Sequence, residues 1–526
     1  MDKPKTLKTD VVIIGAGLSG INMACQLQRQ LKVGDFVIYD RASEMGGAWA
    51  ANKCTISILS RHPGCGVDIP GVLYSLSWFP NPGFTSLFPS QKEILAYVQR
   101  VASIYRVHER TRLGTEWKGA RWMASSSRWH VYLHDAHTGE DFVHEAKVLI
   151  SAVGGYTNPK YPVLPGIENF EGPVVHTARW DKDHDLRGRN VAVIGNGCMC
   201  LRFYLADLAP LTANQNTGSG SQVVPAVMDD VNSLTQFIRS SQHYVPMAVG
   251  NYQFTTTLRT LFSYVPVLLL ILRWLVFWIL DSALGQFYND PQGQKAREER
   301  LAYSQKYIED NAPGIFKITH RRILDNQYIR SLHNPKMQLV KDSITSIGPN
   351  SISTASGKEH QVDFIILATG FEFTQWKADT VIGKHGKSLQ QHWDAVGGIG
   401  AYKTIAMNEF PNMFYLLGPN SGSGHTSVLF SIECAANLVI EIARPVLQRR
   451  ALSVEVSRDA ELEWCDNIQS ALSKTVLTQS CSNTYFDPAT CANGGCSNIR
   501  IRKVAGTSSR ILSAQRVFGW ERSSQK

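Results

Sequence analysis

Three glycines near the N-terminus have the spacing of a loop that holds a dinucleotide. Gly15, Gly17 and Gly20 follow the apolar run Thr9–Ile14, which predicts a strand buried on both faces of a parallel sheet. In such a loop the first glycine permits a tight turn, the second admits a pyrophosphate, and the third lets the next helix pack closely. Asp40 ends the following predicted strand and is placed to accept hydrogen bonds from a ribose. The pattern predicts a Rossmann-like nucleotide site.

Two further segments indicate which dinucleotide this site binds. Gly46 and Gly47, just before Trp49, offer backbone that can lie against a flat ring system. Far downstream, residues 412–424 (NMFYLLGPNSGSG) predict a strand and a glycine-rich turn that lead into a helix over about 427–443. A helix N-terminus at the electron-accepting edge of an isoalloxazine would stabilise its reduced, anionic form. We therefore predict FAD rather than NAD, with Gly47 and Trp49 at the cofactor.

A second nucleotide site is predicted further along the chain. The apolar run Asn190–Ile194 predicts another buried strand, and Gly195 and Gly197 follow it. Two such sites in one chain suggest a flavin that is reduced by a nicotinamide. Arg239 lies at the end of a later predicted strand, where its guanidinium suits a ribose 2′-phosphate. The predicted second cofactor is therefore NADPH.

The second glycine motif is interrupted. Cys200 stands where glycine or alanine is expected, and the residues after it have loop composition. Removing Met199–Gly218 would join Gly195 and Gly197 to Gly220, restore GxGxxG, and leave a helical pattern after it. We hypothesise that this segment is a retained intron or a recent insertion.

Between the two glycine motifs lies the segment FEGPVVHTARWD, from Phe170 to Asp181. It matches FxGxxxHxxxW(P/D), the fingerprint of class B flavoprotein monooxygenases of the Baeyer–Villiger type, at every specified position. From about residue 9 to about residue 487 the chain resembles this FAD-binding monooxygenase family. It looks most similar to the fungal secondary-metabolism branch, which serves aflatoxin- and sterigmatocystin-like pathways.

The resemblance implies FAD and NADPH as cofactors and a small-molecule ketone and O₂ as substrates. The implied reaction inserts one oxygen atom beside the ketone carbonyl, on an aromatic polyketide intermediate of a mycotoxin pathway. It also implies that His176, in the fingerprint, couples NADPH binding to domain rotation. Seen from the residues alone, Gly172 permits a hinge, and His176 and Trp180 are close enough to order one turn.

The resemblance also suggests an aspartate and an arginine at the active site. Asp68 matches the family's active-site aspartate, next to the flavin, and spacing favours Arg321 as the catalytic arginine, with Arg322 as the fallback. A permanently charged arginine can stabilise negative charge that develops on oxygen, and an aspartate can orient it through a charge-assisted hydrogen bond. The chain departs from the family pattern through an extra segment, Cys54–Arg61, and through His62 in place of tyrosine.

These patterns predict an α/β fold with two Rossmann-like dinucleotide-binding domains and a helical insertion in the second. We expect the FAD-binding domain to comprise residues 1–158 and 363–488. The NADPH-binding domain would comprise residues 159–362, including a helical insertion at about 252–313. Residues 489–526 would form a divergent basic tail.

The composition excludes several classes of protein. The chain has 526 residues, of which 44% are apolar and 18% charged, which is typical of a globular protein. The net charge is +9, and the last 38 residues hold seven Lys and Arg but one acidic residue, so 7 − 1 = +6 lies in the tail. No basic surface interleaved with aromatics points to nucleic acid. The ten cysteines include no CxxC, which disfavours a disulfide reductase, and the polar N-terminus favours a cytoplasmic protein.

One apolar stretch, Val265–Leu280, needs its own interpretation. It spans 16 residues and contains Arg273, so it is short for a transmembrane helix. We interpret it as a buried or groove-lining helix, with weak membrane contact through residues 265–280 as the alternative.

Two other functions remain open at this point. A related flavin monooxygenase could oxygenate nitrogen or sulfur and would not need Arg321. The chain could also be an FAD-binding protein without turnover, if Met199–Gly218 is translated. The sequence does not indicate the oligomeric state or the identity of the ketone.

Overall fold

The computed structural model describes residues 6–52, 67, 69–180, 184–195, 219–238, 243–246, 251–311, 322–325, 328–372, 376–421, 427–475 and 520–523. The helices in these ranges are α1 (Leu18–Gln26), α2 (Ala48–Ala51), α3 (Gln91–Ile104), α4 (Ser219–Val227), α5 (Thr256–Tyr264), α6 (Pro266–Ser282), α7 (Pro291–Asn311), α8 (Tyr328–Ser331), α9 (Leu389–Ala395), α10 (Val428–Leu447) and α11 (Arg458–Ser473).

The strands in the same ranges are β1 (Thr6–Ile14), β2 (Phe36–Tyr39), β3 (Thr111–Arg112), β4 (Thr115–Met123), β5 (Arg128–Asp135), β6 (Asp141–Ser151), β7 (Val174–His176), β8 (Asn190–Ile194), β9 (Ser233–Phe237), β10 (His243–Pro246), β11 (Arg322–Asp325), β12 (Met337–Val340), β13 (Ile344–Ile347), β14 (Ser351–Thr354), β15 (Glu359–Gln361), β16 (Phe364–Leu367), β17 (Val381–Ile382), β18 (Met413–Tyr415), β19 (Ser453–Val456) and β20 (Trp520–Ser523).

The first sheet has the strand order β17-β4-β5-β6-β1-β2-β3, and β18 pairs with β6. Strands β1, β2, β3, β6 and β18 are parallel, whereas β4, β5 and β6 form an antiparallel meander. The apolar half of β1 is completely buried, as its uninterrupted run of β-branched residues predicts. Helices α1 and α10 pack together over this sheet and share its core. The predicted helix after the first glycine loop is therefore confirmed; it ends in a π-helical turn, Leu27–Leu31.

The second sheet is parallel throughout, with the strand order β12-β9-β8-β16-β7. Its central strand, β8, is the strand predicted just before Gly195. Val191 and Val193 of this strand lie in a core that includes residues of α4 and α8. Two parallel-stranded nucleotide folds in one chain confirm the predicted α/β fold class. The division of the chain into domains stays a prediction; the strand just after residue 363, β16, pairs within this second sheet.

The chain between β10 and β11 leaves the second nucleotide fold and packs against the first sheet. Asn251 accepts a hydrogen bond from Phe88 N at 2.8 Å through Oδ1 and donates to Phe88 O at 3.1 Å through Nδ2. Tyr252 and Phe254 pack against the core of the first sheet. Helix α7 returns the chain to the second nucleotide fold, because Ile308 near its C-terminal end is buried in the core of the second sheet. The predicted helical excursion thus contacts both nucleotide folds.

Helix α6 confirms that Val265–Leu280 is helical, and the interpretation as a buried or groove-lining helix holds for one of its faces. One face packs against Val72, Leu73 and Phe430, and the opposite face is exposed. Within the described residues, the segment Pro266–Phe287 is the single helix long and apolar enough to cross a membrane by length and composition.

Candidate active site

The first glycine loop has the shape that its sequence predicts. Gly15 has φ +110°, and a Cβ atom there would lie 2.4 Å from Ala152 O, so only glycine can connect β1 to α1 at this point. Its N–H donates to Tyr39 O at 2.7 Å, which ties the loop to the end of β2. The N-terminus of α1 has no capping hydrogen bond from the side chain of its N-cap residue, Gly17, so its backbone N–H groups suit the binding of a pyrophosphate.

A second glycine-rich turn lies directly against this loop. A Cβ atom on Gly47 would stand 2.7 Å from Gly17 Cα, and Gly47 has φ +57°. Trp49, in the short helix that follows, donates from Nε1 to Tyr74 OH at 3.1 Å, and the two rings meet edge to face. The two predicted cofactor segments therefore form one cradle of bare backbone, which fits a dinucleotide carrying a flat ring.

Asp40 is held at the mouth of this cradle. Its Oδ2 accepts from Ala16 N at 2.6 Å and its Oδ1 accepts from Ala42 N at 2.8 Å. Each carboxylate oxygen has a further lone pair, so the group can still accept hydrogen bonds from a ribose. The backbone hydrogen bonds fix the orientation of the carboxylate next to the glycine loop.

One residue near this cradle was not singled out in the sequence. Asn52 is buried at the C-terminal end of α2, where its Nδ2 donates to Ala48 O at 2.8 Å and to Tyr156 O at 3.0 Å. It therefore joins the turn after Gly47 to the segment that follows β6. The sequence did contain a signal for this residue, because Asn52 is a polar residue directly after the apolar run Ala48–Ala51.

Two connections between the sheets run side by side. Lys160 N donates to Gly370 O and Glu372 N donates to Asn158 O, each at 2.9 Å. The first connection leaves β6 and the second follows β16. Both connections therefore pass through one short antiparallel pair, which we call the paired linkers (residues 156–161 and 369–372).

His176 packs against both paired linkers. Its ring lies 5.5 Å from that of Tyr161 and 5.9 Å from that of Phe371, measured between centroids. The residue is 1% exposed, and Nδ1 accepts a hydrogen bond from Ala178 N at 3.1 Å. It caps a 3-10 turn over Thr177–Arg179, the turn expected between His176 and Trp180.

The environment of His176 keeps its imidazole neutral. Burial lowers its pKa to about 4, the backbone of Gly370 opposes this by raising it, and the charge of Arg179 lowers it further. Since Nδ1 accepts a hydrogen bond, the proton of the neutral ring is assigned to Nε2. Nε2 is buried and has no hydrogen bond of normal length among the described residues, but the backbone of Gly370 lies close enough to favour its proton. The site thus holds a donor that faces the second paired linker.

Two arginines connect the cradle to the fingerprint segment through Thr157. Arg41, next to Asp40, donates to Thr157 Oγ1 at 3.1 Å and also to Asn158 Oδ1. Arg179 donates from Nη2 to Thr157 O at 3.0 Å. The first paired linker is therefore held from the side of the glycine cradle and from the side of His176.

Four predicted site residues lie outside the described residues, namely Asp68, Gly197, Arg239 and Arg321. Gly195 is described; it follows β8 with φ +110°, and its Cβ direction is blocked by Ala368 O at 2.5 Å, much like that of Gly15. The interrupting segment 199–218 is also outside the described residues, and α4 begins immediately after it at Ser219. Arg322, the fallback for Arg321, opens β11, which pairs with β10.

The fold and this arrangement define an oxidoreductase with two dinucleotide-binding folds. The model of the family described as "Pyridine nucleotide-disulphide oxidoreductase" matches residues 12–197. A "Baeyer-Villiger monooxygenase" of Pseudomonas aeruginosa is 31% identical over 92% of this chain and 86% of its own length. The "FAD-binding monooxygenase ktnD" of Aspergillus niger is 28% identical over 91% of this chain and 76% of its own length. The chain belongs to the Baeyer–Villiger monooxygenase family, and it is an enzyme of the FAD-dependent monooxygenase class.

Solved structures agree with the fold. Cyclohexanone monooxygenase from Rhodococcus sp. Phi1 bound to NADP⁺ matches with a TM-score of 0.78 and 22% identity, over 99% of this chain and 100% of that one. An oxidised steroid monooxygenase bound to NADP matches with a TM-score of 0.78 and 21% identity, over 98% of this chain and 100% of that one. At these identities the likeness concerns the fold.

Proposed function

We propose that this chain catalyses an NADPH- and FAD-dependent Baeyer–Villiger oxidation. In the balanced reaction, a ketone, O₂, NADPH and a proton give an ester or lactone, NADP⁺ and water. One oxygen atom of O₂ enters beside the carbonyl and the other leaves as water. The observation that carries the proposal is the position of His176, which lies in the complete fingerprint and packs against both linkers between the two nucleotide folds.

The first cradle fits FAD. The close approach of Gly17 and Gly47 leaves bare backbone where a pyrophosphate and a flat ring can lie, and Asp40 faces the place of a ribose. FAD, once reduced, supplies the electrons that activate O₂. In this proposal Gly15, Gly17 and Gly20 hold the pyrophosphate, while Gly47 and Trp49 bound the ring. Asn52 acts as a positioning residue, because it ties the ring-side turn to the chain after β6.

The second nucleotide fold suits NADPH. Gly195 has the same blocked Cβ direction as Gly15, and α4 packs against β8 as the helix of a nucleotide fold does. Gly197 would complete the turn, and Arg239 would bind the 2′-phosphate. His176 would donate from Nε2 to a group of the nucleotide or its neighbouring backbone, and so make the linkers sensitive to the bound cofactor.

Asp68 and Arg321 are the proposed catalytic pair. Arg321 would remain charged throughout and stabilise negative charge on oxygen as the ketone carbonyl is attacked. Asp68 would accept a hydrogen bond from the guanidinium and hold it in place. Support for this pair comes from the family pattern and from the chain positions, since Val67 is buried in the first core and Arg322 opens β11.

The proposed substrate is a large, flat, apolar ketone, such as an aromatic polyketide intermediate of fungal secondary metabolism. The sequence of the helical excursion at about 252–313 is rich in aliphatic and aromatic residues, which is the composition expected near a pocket for such a molecule. Relatives from Aspergillus niger and Aspergillus terreus are named FAD-binding monooxygenases, which is compatible with this branch. We further propose that the enzyme works in the cytoplasm, where NADPH is available.

The test measures ketone-stimulated oxidation of NADPH by the FAD-loaded enzyme, with a series of aromatic and cyclic ketones. Arg321→Ala should remove ester formation, whereas Arg322→Ala, at the adjacent position, should retain it. If Arg321→Ala keeps full activity on amines or sulfides, the enzyme oxygenates nitrogen or sulfur instead. If the wild type binds FAD but NADPH does not bleach its absorbance, the chain is a flavin-binding protein without turnover.

A further inference from the structure

Helix α6 presents an apolar stripe to the outside of the molecule. Val267, Ile271, Trp274 and Trp278 follow one another at intervals of four, three and four residues, so they share one helical face. All four are exposed, and Trp274 and Trp278 are 68% and 67% exposed. Tyr264, at the end of α5, is also exposed and adds a fifth apolar side chain. We call these five residues the outer stripe.

The opposite face of α6 is fixed to the protein. Leu269, Val276 and Leu280 are buried, each two positions after a member of the outer stripe and therefore on the other side of the helix. They pack in a small core with Val72 and Leu73 of the first nucleotide fold. The helix cannot turn its outer stripe inward without breaking this core.

The one cation of α6 also faces inward. Arg273 is 8% exposed and donates from Nη1 to Val72 O at 2.6 Å and to Ser75 O at 2.7 Å. Its Nη2 lies 3.6 Å from Glu433 Oε2. A helix on the surface of a soluble protein normally turns its charges to water and its apolar residues inward. Here the charge is inside and two tryptophans are outside, which is the polarity expected where the outer medium is not water.

Lipid is the medium that this surface fits. Tryptophan is enriched where an apolar phase meets water, because its ring is apolar and its N–H can still find a partner. The chain carries a net charge of +9, of which +6 lies in residues 489–526, so this basic segment rather than α6 itself supplies the attraction to the anionic cytoplasmic leaflet of membranes. Because the inner face of α6 is occupied by protein contacts, the helix can lie in the plane of the interface but cannot span the bilayer.

We propose that the outer stripe of α6 binds the enzyme peripherally to an anionic membrane surface. The stripe enters the boundary between head groups and acyl chains, and Arg273 keeps the helix docked on the first nucleotide fold while it does so. This inference is independent of the reaction that the enzyme catalyses.

The test is cosedimentation of the full-length, FAD-loaded protein with vesicles of phosphatidylcholine alone and with phosphatidylserine added. We expect binding that strengthens with phosphatidylserine and weakens with salt. The double variant Trp274→Gln/Trp278→Gln should bind at least about tenfold more weakly, because each ring contributes a large apolar area to the interface. The matched control Ile104→Gln/Val163→Gln removes two apolar side chains that are exposed elsewhere, and it should bind like the wild type.

Three results would overturn the proposal. The wild type could stay in the supernatant with both vesicle compositions, or the tryptophan variant could sediment as the wild type does. The third is a wild type that is dimeric in solution by analytical ultracentrifugation while the tryptophan variant is monomeric, which would assign the stripe to a second copy of this chain. Equal urea midpoints for the two double variants would show that lost binding does not come from unfolding.

Discussion

Gly17 and Gly47 stand so close together that a Cβ atom on Gly47 would lie 2.7 Å from Gly17 Cα. This contact joins the loop after β1 to the turn before Trp49, and it makes a single cradle from two segments that are separate in the sequence. The contact is between backbones, so no larger side chain can be accommodated at Gly47 without moving the loop, whereas a Cβ atom on Gly17 would lie 3.4 Å from Gly47 Cα.

Replacing Gly47 with alanine should therefore weaken FAD binding. The new methyl group would meet the Gly17 backbone, and the positive φ of +57° would be strained as well. We expect the Kd for FAD to rise at least about tenfold, since about 1.4 kcal/mol suffices for that factor. Isothermal titration of the apoprotein with FAD measures the effect.

Gly139→Ala is the matched control for this prediction. Gly139 has φ +74° in the turn between β5 and β6, and no atom lies within 4 Å of its Cβ position. The variant Gly139→Ala therefore introduces backbone strain but no close contact at the new methyl group. If both variants lose affinity for FAD equally, the contact between Gly17 and Gly47 is not what shapes the site.

A second prediction concerns His176 and pH. Burial lowers its pKa from 6.5 to about 4, so the unfolded chain binds more protons than the folded one between these values. The free energy of unfolding should therefore fall as the pH is lowered through this window. The variant His176→Gln has no imidazole at this position. Its urea midpoint should therefore fall less than that of the wild type between about pH 7 and about pH 5.

His144 provides the comparison for this experiment. Burial also lowers its pKa to about 4, and its ring is bonded to Thr9 and Tyr39 inside the first sheet. His144→Gln should reduce the pH dependence of stability too, but it should leave NADPH oxidation nearly unchanged, whereas His176→Gln should slow it. Equal pH dependence in His176→Gln and the wild type would contradict the assignment of a neutral His176.

The sequence predicts some parts of this molecule much better than others. Strands β1 and β8 are evident because strands buried on both faces need continuous apolar runs. The helix after residue 427 was predicted as well, and α10 begins there with Ser427 as its N-cap. These features depend on local composition and on short-range spacing.

Contacts between distant segments could not be predicted in this way. The packing of His176 between Tyr161 and Phe371 depends on how two linkers pair, and no spacing in the sequence encodes that. The exposed face of α6 could not be predicted either, because apolar residues surround this helix and do not indicate which face is outward. The buried amide of Asn52 was missed for the same reason.

A third prediction concerns the pair Arg273 and Glu433, which joins α6 to α10. Burial lowers the pKa of Arg273 and raises that of Glu433, against the opposing effect of each on the other. Glu433 Oε1 accepts from Ser77 N and Ser77 Oγ, each at 2.7 Å. Removing one partner leaves an uncompensated buried charge, so Arg273→Met should cost about 3–5 kcal/mol of unfolding free energy.

A double-mutant cycle with urea unfolding measures this coupling. Arg273→Met/Glu433→Gln should cost less than the sum of the two single variants, since neither charge is then left alone. Strict additivity would show that the two side chains stabilise the fold independently, through their separate hydrogen bonds to the segment 72–77.

A fourth prediction concerns the interrupted second glycine motif. Deleting Met199–Gly218 joins Cys198 to Ser219, the first residue of α4, and completes GxGxxG with Gly220. The deletion should lower the KM for NADPH, because the helix N-terminus then stands at the phosphate position. A matched variant, with a 20-residue Gly/Ser segment in place of 199–218, should not show a lower KM for NADPH than the wild type. A mature transcript that encodes 199–218 would refute the retained-intron hypothesis.

The most direct test of the proposed oxidation follows the oxygen atom itself. The FAD-loaded enzyme, with and without 199–218, is supplied with NADPH, a large aromatic ketone and ¹⁸O₂, and the product is analysed by mass spectrometry. We predict an ester or lactone that contains one atom of ¹⁸O, located between the former carbonyl carbon and its migrated substituent. If NADPH is consumed and only hydrogen peroxide, an alcohol, or an ester without ¹⁸O is formed across the ketone series, the enzyme is not a Baeyer–Villiger monooxygenase.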